Sequence, residues 1–394
     1  MSPEVHRVSH RVIHAIVSAA VLACSTAWAH DPSAYGGLFR SRDFGGAWLN
    51  ADVGLFLGGA VSVAVNPADS NHLLLGTDSG LLSSRAGGRS WKQESPGMMF
   101  GAVTAVSFLA GGSISLCTTP AGVFRLEGAE WQNVAAPAEA APARAIVAGA
   151  GAGRVYLVGR RDLFRSDDQG RQWQRVDHAL PDQPEFAELA VALVPRETLY
   201  AIVDGRPMAS SDGGSSWTPR EAGLPGARAE ALTVDPHAAG RLWVASGDRL
   251  YVSEDNDGRW RPVGAALPEA NTTVRAIAAD VAMQKIIVTT HRGMYRSVNG
   301  AKSWALLEGN LPVHLESKPL VRDPAHAETL YAGYSLMPYG EIWRIAVEGG
   351  NLLGRIDWLS LAGGLALLLL LGLLGALAAR RLSRRSAPAR PLRR

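Results

Sequence analysis

The chain runs to 394 residues, with 47% hydrophobic and 19% charged side chains and a formal net charge of +3. That length admits two ordinary domains, or one large domain assembled from many small repeats. Two cysteines exclude a disulfide framework, and basic residues gathered at one end rather than along an aromatic-lined groove exclude a nucleic-acid-binding class.

In chain order, Arg7, His10 and Arg11 precede an apolar run over 12–23 and then Ala27-Trp28-Ala29. This is the layout of a secretory signal peptide over 1–29, with His30 as the first mature residue. Val21-Leu22-Ala23-Cys24 also reads as a lipoprotein box in which Cys24 is acylated. With cleavage after Ala29, Cys117 is the one thiol left. It lies in Ser113-Ile114-Ser115-Leu116-Cys117, a strand-like run that predicts a small buried hydrophobe.

From Trp48 onward tryptophan returns at Trp91, Trp131, Trp173, Trp217, Trp260 and Trp304, a period of about 43 residues. Most of these indoles close the pattern Ser-x-Asp-x-Gly-x-x-Trp. It is complete at Ser41/Asp43/Gly45/Trp48, Ser166/Asp168/Gly170/Trp173 and Ser210/Asp212/Gly214/Trp217. Worn copies keep the tryptophan: Ala86 replaces the acid before Trp91, Asp257 the glycine in Ser253/Asp255/Trp260, and Asn299 and Ala301 the acid and glycine before Trp304.

Between indoles the chain repeats one order, best preserved in Ala231-Leu232-Thr233-Val234, Asp235-Pro236-His237, Leu242-Trp243-Val244-Ala245, Gly247-Asp248 and Leu250-Tyr251-Val252-Ser253. Short β-branched runs punctuated by Gly, Pro and Asp predict four strands per repeat, the make-up of a β-propeller blade. Leu38–Ser41 and Ala47-Trp48-Leu49 read as third and fourth strands, and Pro319-Leu320-Val321 with Thr329-Leu330-Tyr331-Ala332 as first and second. Joined, they give an all-β, seven-bladed propeller over 30–350 closed by both ends. Glu341-Ile342-Trp343-Arg344-Ile345 reads as a further third strand.

The box residues have a structural job. The acid accepts hydrogen bonds from its own turn, glycine supplies the backbone angles and tryptophan packs between sheets. Asp43, Asp168, Asp212 and Asp255 are therefore expected to be structural, with Trp48, Trp173, Trp217 and Trp260. On the opposite face the turns between second and third strands read Gly159-Arg160-Arg161, Asp204-Gly205-Arg206, Gly247-Asp248-Arg249 and Thr290-His291-Arg292. Arg160, Arg161, Arg206, Arg249 and Arg292 are the candidate partner-binding residues, since guanidinium forks suit carboxylates and phosphates. Solvated arginine in surface turns is the plainer alternative. Phe56, Leu57, Met98, Met99 and Phe100 stand in loops leading to the next blade, as adaptable contacts or as filling of the channel mouth. His30, His72, His178, His237, His291, His314 and His326 show no ligand spacing, so neither a metal nor a cofactor is expected.

Residues 358–379 carry no charge and, as a helix, are long enough to cross a bilayer, which predicts a C-terminal transmembrane helix. Arg380, Arg381, Arg384, Arg385, Arg390, Arg393 and Arg394 follow it as a basic cytoplasmic tail over 380–394. The expectation is thus a single-pass protein of the bacterial inner membrane with the propeller in the periplasm and the C-terminus in the cytoplasm. Without leader and tail the exported part is mildly acidic, at roughly −5.

The boxes Ser166-Asp-Asp-Gln-Gly-Arg-Gln-Trp173 and Ser210-Ser-Asp-Gly-Gly-Ser-Ser-Trp217 resemble the BNR or Asp-box repeat over residues 38 to about 345. That repeat is shared by sialidases, xyloglucanases, sortilin-type receptors and the photosystem II stability/assembly-factor family, and the chain is most similar to the last. The resemblance implies a protein-binding scaffold or assembly and stability factor for envelope membrane proteins, with acidic segments among its partners and no catalytic residue. The alternative is a membrane-tethered carbohydrate-active enzyme of the sialidase or xyloglucanase-like group. Tyr339 and Glu341 are close in sequence, but one such pair does not make a catalytic set.

Overall fold

The computed structural model describes residues 36–348, apart from 95–100, 152, 182, 227 and 255–257. The described residues form seven four-stranded antiparallel sheets. Blade 1 runs through Ala60–Asn66, Asp69–Thr77, Leu81–Ser84 and Lys92–Gln93. Blades 2 to 6 begin with Ala105–Leu109, Ala145–Ala148, Phe186–Ala192, Ala229–Val234 and Val274–Ala279. Blade 7 joins Glu316–Arg322 and Leu330–Ser335 to Gly37–Ser41 and Leu49–Asn50 from the start of the chain, with Gly37 opposite Tyr334 and Ser41 opposite Leu330. The ring is closed through the middle of this sheet.

The second strands explain their own sequences. Ile114–Thr119, Leu242–Ser246 and Ile286–Thr290 are buried at every residue, because each is covered on both faces by neighbouring blades. They therefore read as continuous apolar and β-branched runs rather than alternating ones. Most fourth strands, such as Gln174–Arg175, have two rim residues and are exposed.

Each pair of adjacent blades shares one apolar cluster, and each cluster holds one repeat tryptophan. Trp173 joins blade 3 to Leu116 and Val123 of blade 2, Trp260 joins blade 5 to Tyr200 and Ile202 of blade 4, and Trp48 joins blade 7 to Ile287 and Met294 of blade 6. In several seams the indole N–H also ties the two blades. Trp91, Trp260 and Trp304 donate to the carbonyls of Ala51, Arg220 and Ala265 on the preceding blade, at 2.8, 2.7 and 3.1 Å. The 43-residue beat is the spacing of these seams.

Side chains of the Ser-x-Asp turn bond to its own backbone. Ser210 Oγ accepts from the N–H of Gly214 at 2.8 Å and donates to Asp212 Oδ1 at 2.7 Å, while Asp212 accepts from Ser216 N–H at 2.9 Å. Ser166 and Asp168 repeat this, as do Ser41 and Asp43. Gly170 is required twice over: its φ is +81°, and a Cβ there would lie 2.8 Å from Leu116 of the preceding blade. Asp255 lies outside the described residues.

Two expectations are corrected. The segment Glu341–Ile345 is not a strand but part of helix α1, Tyr339–Glu348. The seven-bladed architecture stands without the C-terminal transmembrane helix expected beside it: no helix among the described residues is long and apolar enough to cross a membrane. Helix α1 has 10 residues, includes Glu341 and Arg344, and reaches about 15 Å against a hydrocarbon core of about 30 Å. The expected span at 358–379, the tail at 380–394 and the leader at 1–29 all lie outside the described residues. No helix among the described residues supports the single-pass inner-membrane placement.

A candidate binding face and a roofed channel mouth

Antiparallel pairing puts the start of each first strand beside the end of the second, as in Ala145 opposite Val158 and Val274 opposite Thr290. The turns between second and third strands therefore share one face, here the upper face, with the mouth of the axial channel. The Ser-x-Asp turns are on the lower face.

At the mouth, several first strands carry a bulge within their first four residues. Pairing skips Val61, Ala187, Glu230 and Arg275, and both Lys318 and Pro319. A bulge re-aims the side chain it contains. Val61, Arg275, Lys318 and Pro319 line the axial cavity of about 390 Å³, with Arg144 and Glu188. Lys318 Nζ stands 3.6 Å from Glu188 Oε1, although blades 7 and 4 are not neighbours, so this ion pair crosses the bore.

Helix α1 roofs the cavity, contributing Tyr339, Gly340, Ile342 and Trp343 to its lining. Its first turn is held by Glu316, whose Oε2 accepts the N–H of Tyr339 at 2.8 Å while Oε1 accepts from Arg275 Nε at 2.7 Å. The carboxylate thus satisfies an N–H that the helix leaves open. The Tyr339 hydroxyl donates to Ala60 O at 2.8 Å, and burial, reinforced by the Glu316 charge, holds this phenol well above its ordinary pKa, so it remains a donor. The Arg144 guanidinium sits 4.3 Å from the centre of the Trp343 ring, and its Nη2 is 3.0 Å from Glu185 Oε1.

The five arginines singled out from the sequence are all exposed on the upper face, in four successive blades. Three of them have polar partners of their own. Arg206 makes a two-pronged pair with Glu221 at 2.6 and 2.7 Å, Arg292 stands 3.5 Å from Glu269, and Arg161 donates to Gln183. Arg160 and Arg249 point to solvent. Arg228, also exposed, packs its stem against Gly205 and adds a cation that the turn pattern missed, because it lies just before a first strand. Arg144 occupies the same position one residue before blade 3, which is the signal that would have found both. Phe56 is exposed and Leu57 buried, while Met98, Met99 and Phe100 lie outside the described residues. Among the described residues no three His, Cys, Asp or Glu side chains are grouped to hold a metal ion.

With this geometry in hand, the sequence matches the DUF6242 beta propeller domain over residues 127–341, more than half of the chain. The chain belongs to the DUF6242 beta propeller family. No curated protein matches the sequence. Among solved structures, this DUF6242 propeller is similar to YCF48 bound to D1 peptide, with 17% identity, a TM-score of 0.55, and 77% of this chain and 98% of that one covered. It is similar also to YCF48 from Cyanidioschyzon merolae, with 15% identity, a TM-score of 0.57 and coverage of 71% and 97%. The GH74 xyloglucanase from Xanthomonas campestris shares 18% identity at a TM-score of 0.55, over 74% of this chain and 55% of the enzyme. At such identities the likeness is one of fold.

Proposed function

We propose that this DUF6242 propeller is a protein-binding scaffold whose upper face holds an acidic segment of a partner protein. The observation that carries the reading is the set of exposed arginines contributed by four consecutive blades to one face. Guanidinium groups at matching turn positions suit an extended carboxylate-bearing chain better than a compact ligand. The fold shared with a YCF48 that holds a D1 peptide supports a peptide segment as the bound form. In this reading the Ser-x-Asp-x-Gly-x-x-Trp turns are Asp-box repeats, with a structural role only.

The carbohydrate-active reading draws on the xyloglucanase fold, but helix α1 covers the mouth, and Glu188 and Glu316 are engaged by Lys318 and Arg275. Glycoside hydrolysis needs two carboxylates free to face a sugar.

The test is fluorescence anisotropy with a labelled poly-glutamate peptide. Binding is expected to weaken with salt, and the double variant Arg206→Glu with Arg249→Glu is expected to lose at least about tenfold in affinity while melting like the wild type. Unchanged affinity in that variant, or release of reducing sugar from xyloglucan, overturns the proposal.

A further inference from the structure

We infer that the partner segment is bipartite, an acidic stretch joined to apolar residues, and that Phe56, Leu336 and Met337 form the ledge that receives its apolar half. This rests on the reading of the upper face as a protein-docking surface and adds what kind of segment fits it.

Going round the upper face from blade 4, the turn after each second strand offers Arg206, then Arg249, then Arg292. In blade 7 the second strand ends at Ser335, and the corresponding position is taken by Leu336 and Met337. Charge thus gives way to apolar surface at the next step of the same track. These two side chains are 50% and 38% exposed, and Phe56, on the loop leading into blade 1, is 73% exposed. The loops meet: Leu336 N–H donates to Gly58 O at 2.9 Å, and Gly59 bridges Ser335. Phe56 is two residues from that junction.

Among the described residues the other large exposed apolar side chains do not build such a surface. Leu193, Val194, Val281 and Val298 sit singly or as one pair in lower-face turns, Leu49 is on the outer strand of blade 7, and Val53 stands in the same loop as Phe56, at the outer end of the ledge. Exposed single apolar residues are ordinary, whereas adjoining ones beside a charged rim are the make-up of a protein contact. Met and Phe suit it, the first by adapting its shape and the second as a rigid anchor. Charge complementarity decides the other half: carboxylates on the segment face the arginines, and the chain polarity is then set by which end carries the apolar residues.

The experiment uses the full chain and two labelled peptides of equal length, one a run of glutamates followed by Leu-Phe, the other the same run followed by Ser-Ser. The Leu-Phe peptide is expected to bind the wild type about tenfold more tightly. The double variant Phe56→Ser with Met337→Ser is expected to erase that difference while binding the Ser-Ser peptide like the wild type. Both side chains are exposed, so the variant is expected to keep the wild-type melting temperature, and a single-site Met337→Ser variant gives the same readout if the double variant unfolds. Equal binding of the two peptides by the wild type, or a preference that survives the ledge substitutions, overturns the inference and leaves the arginine-dependent scaffold standing. Failure of the Ser-Ser peptide to respond to Arg206→Glu with Arg249→Glu removes the scaffold reading and this inference with it.

Discussion

At the scale of single residues, the Ser-x-Asp turns show which atom matters. In the worn copy of blade 6, Asn299 Oδ1 accepts from Ser297 Oγ and from Ser303 N–H, both at 3.0 Å, while Ser297 Oγ accepts from Ala301 N–H at 2.9 Å. An amide oxygen does there what a carboxylate does in Asp168, so charge is dispensable and oxygen placement is not. Asp168→Asn is therefore expected to change stability by less than about 0.5 kcal/mol, whereas Ser166→Ala, which strands the buried N–H of Gly170, is expected to cost about 1–2 kcal/mol. Urea titration of the two variants checks this, and a larger loss in Asp168→Asn than in Ser166→Ala would contradict it. The turn itself was legible in the sequence because the pattern recurs at a fixed spacing and survives replacement of the acid by Asn299 or Ala86. The partners of the turn arginines were not legible, since Glu221 and Glu269 reach Arg206 and Arg292 from loops that repetition does not constrain.

Among the elements, helix α1 is the one the sequence misreads. Glu341-Ile342-Trp343-Arg344-Ile345 alternates as a strand does, yet the Glu341–Arg344 ion pair at 2.6 Å and burial of Tyr339, Ile342 and Ala346 follow helical spacing. What tips the balance is distant in sequence: Glu316 capping the first turn and the channel mouth accepting Ile342. Another element-level feature escaped the sequence. Asp52, at the end of blade 7, is 3% exposed and accepts the N–H of Leu38 at 3.0 Å. Burial raises its pKa from 3.8 to about 6, against the pull of its hydrogen bonds. Between those values the folded chain holds a proton that the unfolded chain has lost, so stability falls as the pH rises through that window. The Asp52→Asn variant is expected to lack this dependence and to be more stable than the wild type at pH 7 by about 1–3 kcal/mol. Denaturant titrations at pH 4 and pH 7 decide the matter. A wild type that is no less stable at the higher pH would show that the buried carboxylate is not what senses the change.

For the whole molecule, the ring was legible because each repeat brings its own seam tryptophan, and because the half-blades at the two ends were complementary. Crossing of the bore by Lys318 and Glu188 was not, since it depends on how bulges aim side chains across a distance that the repeat does not encode. Closure carries a prediction. Leu38, Phe39, Phe44 and Trp48 are all buried against blades 6, 7 and 1. At about 1.5–3 kcal/mol for each large side chain, their sum matches the stability of a whole domain. Removal of residues up to 50 is therefore expected to abolish a single cooperative thermal transition, and a synthetic peptide of residues 36–50 is expected to restore it. A truncated chain that still melts sharply on its own would refute this. The same closure bears on how the chain is made. During synthesis the first hairpin half emerges early and must wait for a mate roughly 300 residues downstream. Until Leu330–Ser335 leaves the ribosome, six finished blades form an arc with the edge of Gly37–Ser41 bare at one end and the apolar face of blade 6 bare at the other, and that waiting period, rather than the mature ring, is when the protein most needs shielding from its own copies.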